Sequence, residues 1–511
     1  MNPGTMNPGT AEAELPWLRL DRRMLLIHPV EEILRLLPVL IGTVVLGTSS
    51  GNPYWGLAVA GVLVVVGLLR WFTTTYRIGP VHVELRRGLL QRQELSIPRS
   101  RIRSVDVDQR VLHRLLGLAV VKIGTGQSAG GADRNRFELN GLAVAAVPAL
   151  RAALLAAGSD PGAEASARTP HHAEPDLPAP KETEIARLDP RWVRYAPFST
   201  TGLLGVVAVA GLAFQYGLGE RLSESRTVER GVEVLETAGV VVTAAVIVVA
   251  VIVVASIAAC IRYLLLYGNL RVTDDGRMLR IGFGLLRVRH TTLDRARLRG
   301  VNLREPLALR LVGAARLDAI MTGVAAERGE SSLVLPSAPA SEAQRVAAAV
   351  LTDAGAVEVR LVPHGRIARR RRFVRAMLPA AAIAAAGIAA SVATGGSLPP
   401  ALTVALIVVL VAGSAGLAWD RYRSLGHAVL PGRLITRGGS LDRQRVCLDA
   451  AGIVGWTVRQ SFFQRRAGVA TVIAATPAGA GHYAVVDIPA EHAWALVEAV
   501  TPGVGDMWVR R

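Results

Sequence analysis

The chain has 511 residues, of which 51% are hydrophobic and only 19% are charged, and its formal net charge is +18. Its mean hydropathy of +0.36 is too high for an ordinary soluble chain. This composition excludes a soluble enzyme, a secreted disulfide scaffold and a disordered regulator, and it indicates an integral membrane protein.

Four long segments contain no charged residue, namely 36–69, 195–219, 237–261 and 376–419. Each can cross a hydrocarbon core of about 30 Å at a helical rise of about 1.5 Å per residue. The first and last are too long for one helix and contain turn-forming residues near the middle, so each predicts a hairpin. We predict six transmembrane helices in three hairpins, near residues 31–47, 54–72, 195–217, 238–261, 374–395 and 400–419.

Arginines lie on one side of these spans, before the first, third and fifth and after the second, fourth and sixth. On the other side, the loop 220–236 contains more glutamates than arginines. Short loops rich in Lys and Arg stay in the cytoplasm, so both termini and all the extramembrane domains are predicted to be cytoplasmic. The same topology explains the net positive charge, and we predict no nucleic-acid partner because few aromatic residues alternate with the basic ones.

A repeat follows each hairpin. Residues 88–117, 284–313 and 439–468 align over 30 residues without a gap, and each stretch begins and ends with Gly. Arg114, Arg310 and Arg465 occupy the same position, three residues before the final Gly. Each aligned stretch is followed by an apolar strand, over 118–123, 314–320 and 469–474. A helix closes each copy, near 147–157, 340–354 and 490–500. Apolar and polar residues alternate in part over 77–84 and 279–287, as they do in half-buried strands.

The chain therefore divides into alternating membrane and cytoplasmic parts. The predicted order is an N-terminal segment (1–30), hairpin 1 (31–72), domain 1 (73–157), a Pro-rich flexible linker (158–190), hairpin 2 (191–262), domain 2 (263–355), a basic connector (356–373), hairpin 3 (374–419), domain 3 (420–502) and a C-terminal tail (503–511).

The residues Pro98-x-x-Arg101-Ile102-Arg103-Ser104-Val105, followed by Gln109 and by Arg114-Leu115-Leu116-Gly117, resemble the bacterial pleckstrin-homology (bPH2) membrane proteins of the YdbS/YdbT family. Three copies with three hairpins are most like the YdbT form of that family. The resemblance implies an α+β membrane protein in which each hairpin precedes a cytoplasmic PH-like β-sandwich or barrel with a C-terminal capping helix. It also implies a multi-pass protein of the bacterial plasma (inner) membrane and a smaller YdbS-like membrane protein as a partner.

The candidate contact residues are all arginines. Arg114, Arg310 and Arg465 either hold the turn before the following strand or bind a lipid headgroup or a partner. The cluster Arg369, Arg370, Arg371 and Arg372 either fixes the orientation of the fifth span or attracts anionic lipid. Copy three departs from the pattern, because it lacks the counterparts of Arg101 and Arg103.

We find no motif of a catalytic, cofactor or metal site; His171 and His172 form an adjacent pair that we expect to be solvated in the linker. The expected function is a non-catalytic scaffold whose PH-like domains bind proteins, with envelope maintenance as the candidate process and a homo-oligomer among the expected assemblies. The alternative is an anionic-lipid-binding or lipid-handling membrane protein. A transporter is the least favoured, because the charge-free cores contain no ionisable side chain for an ion pathway.

Overall fold

The computed structural model describes residues 16–24, 26–27, 74–79, 81–87, 93–99, 102, 104–124, 137–150, 182–215, 240–322, 332–393 and 400–504. The first predicted hairpin, the first part of the linker and the loop 220–236 lie outside these residues. The chain forms two compact units, residues 1–187 with 265–297 and residues 188–264 with 298–511, and each is described by itself.

The helices of the described residues range from short single turns to apolar helices of membrane length. They are α1 (Val111–Leu115), α2 (Thr200–Gln215), α3 (Val240–Tyr267), α4 (Leu307–Leu311), α5 (Ala340–Leu351), α6 (Gly355–Glu358), α7 (Gly365–Ala393), α8 (Pro400–Arg423), α9 (Phe462–Arg466) and α10 (Ala493–Val500).

The first unit contains two antiparallel sheets. Its strands are β1 (Leu18–Arg19), β2 (Thr75–Ile78), β3 (His82–Arg87), β4 (Gln93–Pro98), β5 (Ser104–Gln109), β6 (Leu118–Gly124), β7 (Phe137–Ala143), β8 (Thr183–Arg187), β9 (Arg271–Asp274), β10 (Met278–Phe283) and β11 (Val288–Asp294). The strand orders are β1-β2-β3-β4 and β7-β6-β5-β11-β10-β9-β8.

Apolar residues at every second position of the strands form a core in this unit. Val83 and Leu85 of β3 pack with Val105 and Val107 of β5 and with Leu118 at the start of β6, and all five are buried. Every second residue of a strand faces the same side, so these pairs bring the four-stranded sheet against β5, β6 and β7. The result is a sandwich with an apolar core between these strands.

The second unit is also built from two antiparallel sheets. Its strands are β12 (Leu298–Pro306), β13 (Ala314–Met321), β14 (Leu333–Pro339), β15 (Gly426–Leu430), β16 (Arg433–Gly438), β17 (Asp442–Asp449), β18 (Gly455–Arg459), β19 (Val469–Ala475) and β20 (His482–Pro489). The orders are β14-β13-β12-β17-β16-β15 and β18-β19-β20. Leu434 and Leu448 pack with Val472, Val485 and Leu496 in one core, so α10 covers the sandwich.

Two of the predicted capping helices are described over their length. Residues 340–351 form α5, and residues 490–492 form a single turn that leads into α10. Residues 147–150 begin a helix, and the remainder of that predicted helix lies outside the described residues.

Two predicted strands differ in extent from the structure. Residues 77–84 belong to two strands, β2 and β3, because the chain turns at Gly79, whose N–H donates to the carbonyl of His82 at 2.8 Å. The strand predicted over 279–287 ends at Phe283, and Gly284 then adopts a φ of 110°. Within the predicted linker, residues 183–187 form β8, which pairs with β9.

Three described helices are long and apolar enough to cross a membrane, over Val248–Tyr267, Gly365–Ala393 and Ala401–Arg423. They coincide with the fourth, fifth and sixth predicted spans, but α7 begins nine residues earlier than predicted and includes the arginine cluster. The third predicted span corresponds to α2, described over 16 residues. The arrangement of six spans in three hairpins stays a prediction.

Candidate functional site

A cavity of about 380 Å³ lies in the first unit, between α1 and the strands β9 to β11. Arg114, Arg271, Arg280 and His290 line it, together with the single carboxylate of Glu182. Arg280 is ion-paired with Glu182 and, at 2.9 Å, with Asp275 outside the cavity. Arg114 and Arg271 are exposed, so the lining is positively charged overall.

Strand register places the basic groups of this cavity in a row. Gly282 of β10 is opposite Arg271 on one side and opposite His290 on the other. Directly opposite residues share a face of the sheet, so the two side chains flank the position where Gly282 has none. A Cβ atom at Gly282 would lie 2.9 Å from Nδ1 of His290, so glycine keeps the cavity open.

The cavity lies next to the C-terminal end of the apolar helix α3. The loop after β10 is fastened to that end, because Gly284 donates its N–H to Gly268 at 2.7 Å and Leu285 donates to Leu265 at 3.0 Å. Nη1 of Arg114 donates to the carbonyl of Leu285 at 3.3 Å. Leu115 of the same short helix is 81% exposed. Arginines beside exposed leucines at the end of an apolar helix fit the polar boundary of a bilayer.

The counterpart of this region in the second unit carries its own carboxylate. Arg310, which aligns with Arg114, is paired with Asp420 of α8 at 2.8 Å, and Ser440 donates to the same carboxylate at 2.7 Å. Asp420 lies two residues before Tyr422, where the first unit has Leu265 two residues before Tyr267. The charge of Arg310 is therefore neutralised within the unit.

An arginine side chain also stands where the first unit has a glycine. Arg437 aligns with Gly282, and its guanidinium donates to the carbonyls of Ser424 at 3.0 Å and Arg423 at 3.1 Å. The two aligned regions therefore differ in chemistry, since the cavity of the first unit is open and basic, whereas Arg310 and Arg437 of the second unit have partners within that unit.

Arg465, the third of the aligned arginines, is exposed on α9. A capping box fixes this helix, because Ser461 accepts from the N–H of Gln464 at 3.3 Å and donates its own N–H to the Gln464 side chain at 2.9 Å. The helix presents Phe462 and Phe463, which are 67% and 73% exposed and whose ring centroids are 5.5 Å apart. Rigid, exposed aromatic side chains are typical of protein contact surfaces.

The basic cluster at the start of α7 divides into two pairs. Arg369 and Arg370 are exposed. Arg371 and Arg372 instead pair with the buried carboxylate of Asp487 in β20, at 3.3 Å and 3.0 Å, with side-chain exposures of 11% and 4%. These two arginines therefore join the apolar helix to the third domain.

Gln464 completes this buried cluster. Its Nε2 donates to Oδ1 of Asp487 at 2.8 Å and to the hydroxyl of Thr471 at 2.8 Å. Asp487 has a φ of 59°, a conformation that Asp tolerates better than most residues. The sequence gives no signal for the contacts of Arg371 and Arg372 with Asp487, because these partners are separated by more than a hundred residues.

A buried histidine, His364, and a half-buried one, His427, lie beside this cluster. Nδ1 of His364 is 2.7 Å from the carbonyl of Val486, and its Nε2 is 3.0 Å from Nδ1 of His427. Burial lowers the pKa of His364. Burial, together with the charges of His364 and His492, lowers the pKa of His427 to about 4. Both rings are therefore neutral near pH 7.

Sequence reasoning selected one residue of the cavity, Arg114, and missed Arg271, Arg280 and His290. They lie on the three neighbouring strands β9, β10 and β11, and only the pairing of those strands assembles them. Among the described residues, no group of three or more His, Cys, Asp or Glu side chains could hold a metal ion.

Comparison with known families identifies one type of domain. The family model of the bacterial PH domain matches residues 32–158 and 377–501. Each match covers a predicted apolar hairpin and the copy of the repeat that follows it, the first and the third. No curated protein and no solved structure matches the chain.

The fold and these matches define a class of protein. The chain combines helices able to cross a membrane with α+β domains, and it contains PH-like domains of the bacterial type. These features are compatible with a membrane protein that carries PH-like domains.

Proposed function

We propose that this protein is a non-catalytic scaffold of the bacterial inner membrane, of the YdbT type, with six spans and cytoplasmic termini. Its three PH-like domains bind protein partners. The observation that carries this proposal is the exposed aromatic pair Phe462 and Phe463 on α9, whose first turn is closed by a capping box. At the aligned positions, the first copy has Val111 and Leu112 and the second has Leu307 and Ala308. The third domain therefore has a feature suited to a protein contact.

The test is the mass of the intact protein isolated in mild detergent. We expect a stoichiometric protein partner, which is either a second copy or a smaller membrane protein of the YdbS type. The variant Phe462→Ala/Phe463→Ala is expected to bind this partner at least tenfold more weakly, because aromatic anchors contribute about 2 kcal/mol or more to an interface. The matched control is Leu311→Ala, which removes a side chain that is 79% exposed on the equivalent helix α4.

A monomer free of any protein partner would contradict the scaffold. Equal loss of the partner in the control variant would show that general surface hydrophobicity, and not the aromatic pair, holds the complex.

A second candidate function is the binding of anionic lipid, and the basic cavity of the first unit favours it. The cavity holds three guanidinium groups against one carboxylate, beside the end of an apolar helix. A leaflet of anionic lipid attracts each Arg near its surface by about 1 kcal/mol. The exposed Arg369 and Arg370 at the start of α7 are suited to the same surface.

The lipid function is tested with phosphatidylglycerol and phosphatidylcholine of equal chain length added to the detergent-solubilised protein. We expect phosphatidylglycerol to be retained selectively and Arg114→Gln/Arg271→Gln to weaken its retention about 30-fold. The control Arg277→Gln/Arg459→Gln removes the same charge from two other exposed positions. Equal loss in both double variants would show that net charge alone attracts the lipid.

A further inference from the structure

Consecutive repeats are joined by strand pairing. In the first unit, β5 of the first repeat pairs with β11 of the second, from Ser104 opposite Leu293 to Gln109 opposite Val288. In the second unit, β12 of the second repeat pairs with β17 of the third, and Gly300 is opposite Leu448. Ser104 aligns with Gly300, and Leu293 aligns with Leu448. The two junctions therefore have the same register.

Ion pairs of the same kind fasten both junctions. Nε of Arg287 donates to Oδ1 of Asp108 at 2.7 Å, and the Arg443 guanidinium is paired with Glu305. Burial would raise the pKa of Asp108, but the hydrogen bond and charge of Arg287 outweigh it and hold the pKa below its usual range. In each case an arginine of the later repeat reaches a carboxylate of the earlier one. The same two strands of the repeat thus form the same interface at both junctions.

Within the described ranges of the chain, the first and last repeats each have one of these strands with no strand of another repeat paired to it. β4 aligns with β11 and β17, and β18 aligns with β5 and β12. Among the described residues, β4 pairs with β3 and β18 pairs with β19, and each is the outer strand of its sheet. The edge of an outer strand presents N–H and C=O groups that can pair with another chain.

Side-chain exposure follows this difference. Ser96 of β4 is exposed, whereas the aligned residues Thr292 of β11 and Cys447 of β17 are buried. Arg459 of β18 is exposed, whereas the aligned Asp108 of β5 is buried. At these positions the outer strands are accessible and the inner ones are covered.

We propose that copies of this protein associate head to tail, with β18 of one copy pairing with β4 of the next in the register of the internal junctions. The inference deepens the scaffold function and rests on it, because it names the partner as a second copy. The register places Gly455 opposite Ile97 and Arg459 opposite Gln93. A second copy is the occupant because the chain carries both halves of an interface that it already forms twice.

The short helix after each inner strand supports the same occupant. Arg114 of α1 donates to the carbonyl of Leu285 in the next repeat, and the N–H of Leu307 at the start of α4 donates to Leu441 at 2.7 Å. The helix α9 follows β18 in the same way and presents Phe462 and Phe463. At the internal junctions the residues aligned with Phe463, Leu112 and Ala308, are half-buried, so a next repeat supplied by a second copy would cover part of this aromatic surface.

A head-to-tail contact also suits a membrane protein. Copies related by rotation about an axis normal to the bilayer keep the same orientation in it, and such contacts close into rings or extend as open arrays.

The test is disulfide cross-linking between two differently tagged full-length chains expressed together, one carrying Gln93→Cys and the other Arg459→Cys. Both replaced side chains are exposed, so folding is expected to be preserved. Cys260→Ala is used as the background. Cys447 is retained, because it is buried and burial raises the pKa of its thiol to about 11.

The matched control pairs Gln93→Cys with His482→Cys, because His482 is exposed on β20 at the opposite edge of the same three-stranded sheet. The positive control is Arg304→Cys/Gln444→Cys within one chain, whose positions are directly opposite at the internal junction. Opposite residues of paired strands are close enough for a disulfide.

We expect mild oxidation in native membranes to shift the Gln93/Arg459 pair from the mass of one chain, 54.1 kDa, to that of two. The His482 control is expected to stay at one chain. The proposal is overturned if the disulfide of the positive control forms but the yield of cross-linked dimer from the Gln93/Arg459 pair does not exceed the yield from the His482 control. A stoichiometric complex without this cross-link would overturn the strand contact and leave the scaffold function standing, whereas a partner-free monomer would remove both.

Discussion

The buried carboxylate of Asp487 provides the sharpest test of how the third domain is held to its apolar helix. It is fully buried and faces Arg371 and Arg372, which are themselves only 11% and 4% exposed. Asp487→Asn keeps the size of the side chain and its tolerance of a positive φ, but it removes the negative charge. Two guanidinium groups then remain in a buried position without a counter-ion, at an expected cost of about 3 to 5 kcal/mol.

The measurement is thermal unfolding of the full chain in lipid nanodiscs, followed by tryptophan fluorescence. For a cooperative unit of 150 to 250 residues, this cost corresponds to a fall in Tm of about 6 to 20 °C. Asp487→Gly separates charge from backbone strain, because glycine relieves the positive φ by about 1 kcal/mol yet still removes the carboxylate. It is expected to remain strongly destabilised.

The control for this prediction is Asp449→Asn. Asp449 pairs with Arg433 at 3.1 Å and its side chain is 33% exposed, so its loss is expected to cost about 1 kcal/mol or less. In the double variant Arg372→Gln/Asp487→Asn, part of the stability should return, because one buried charge is removed with its partner. If Asp487→Asn were as mild as Asp449→Asn, the two arginines would not depend on this carboxylate and the reasoning would be refuted.

Three other changes test separate parts of the structure. The pKa values of His364 and His427 are lowered in the folded protein, so below about pH 6.5 the unfolded chain binds protons that the folded chain does not. At pH 5, His427 should lower the free energy of unfolding by about 2 kcal/mol. His427→Gln should therefore reduce the fall in Tm between pH 7 and pH 5. Gly300→Ala should destabilise the protein by about 3 kcal/mol or more in the same unfolding assay, since its Cβ would lie 2.0 Å from the carbonyl oxygen of Cys447. The control Gly432→Ala adds a Cβ in open space at a φ of 71°, and it should cost about 1 to 2 kcal/mol. Leu265→Asp places a carboxylate at the position aligned with Asp420, so it should neutralise the charge of Arg114 and reduce the retention of phosphatidylglycerol about fivefold. Unchanged retention would exclude Arg114 from the lipid site.

Some parts of the fold could be predicted from local sequence. The apolar runs that became α3, α7 and α8 are visible because a membrane helix needs a long uncharged segment, which is a property of consecutive residues. The strands β6, β13 and β19 and the glycines before them were predicted from the aligned repeats. Gly117, Gly313 and Gly468 have φ values between 66° and 72°, where glycine is favoured.

The candidate site was less predictable. Arg371 and Arg372 were identified as part of one basic cluster with Arg369 and Arg370, yet the structure buries the first two on Asp487 and exposes the others. A run of like residues in the sequence does not show which of them meets a distant carboxylate. Arg114 and Arg310 likewise align, but within the part of the chain that the structure describes only Arg310 has an acidic partner, because Asp420 comes from the end of a different hairpin.

The sequence by itself determined the apolar segments, the glycine turns and the candidate arginines, because each depends on residues that are neighbours in the chain. Only the tertiary structure decided which strands share a sheet, and hence that β5 pairs with β11 and β12 with β17. Backbone hydrogen bonds between strands carry almost no sequence signature, since every non-proline residue offers the same N–H and C=O groups. The basic cavity, the buried Asp487 cluster and the accessible edges of β4 and β18 all follow from that pairing and packing.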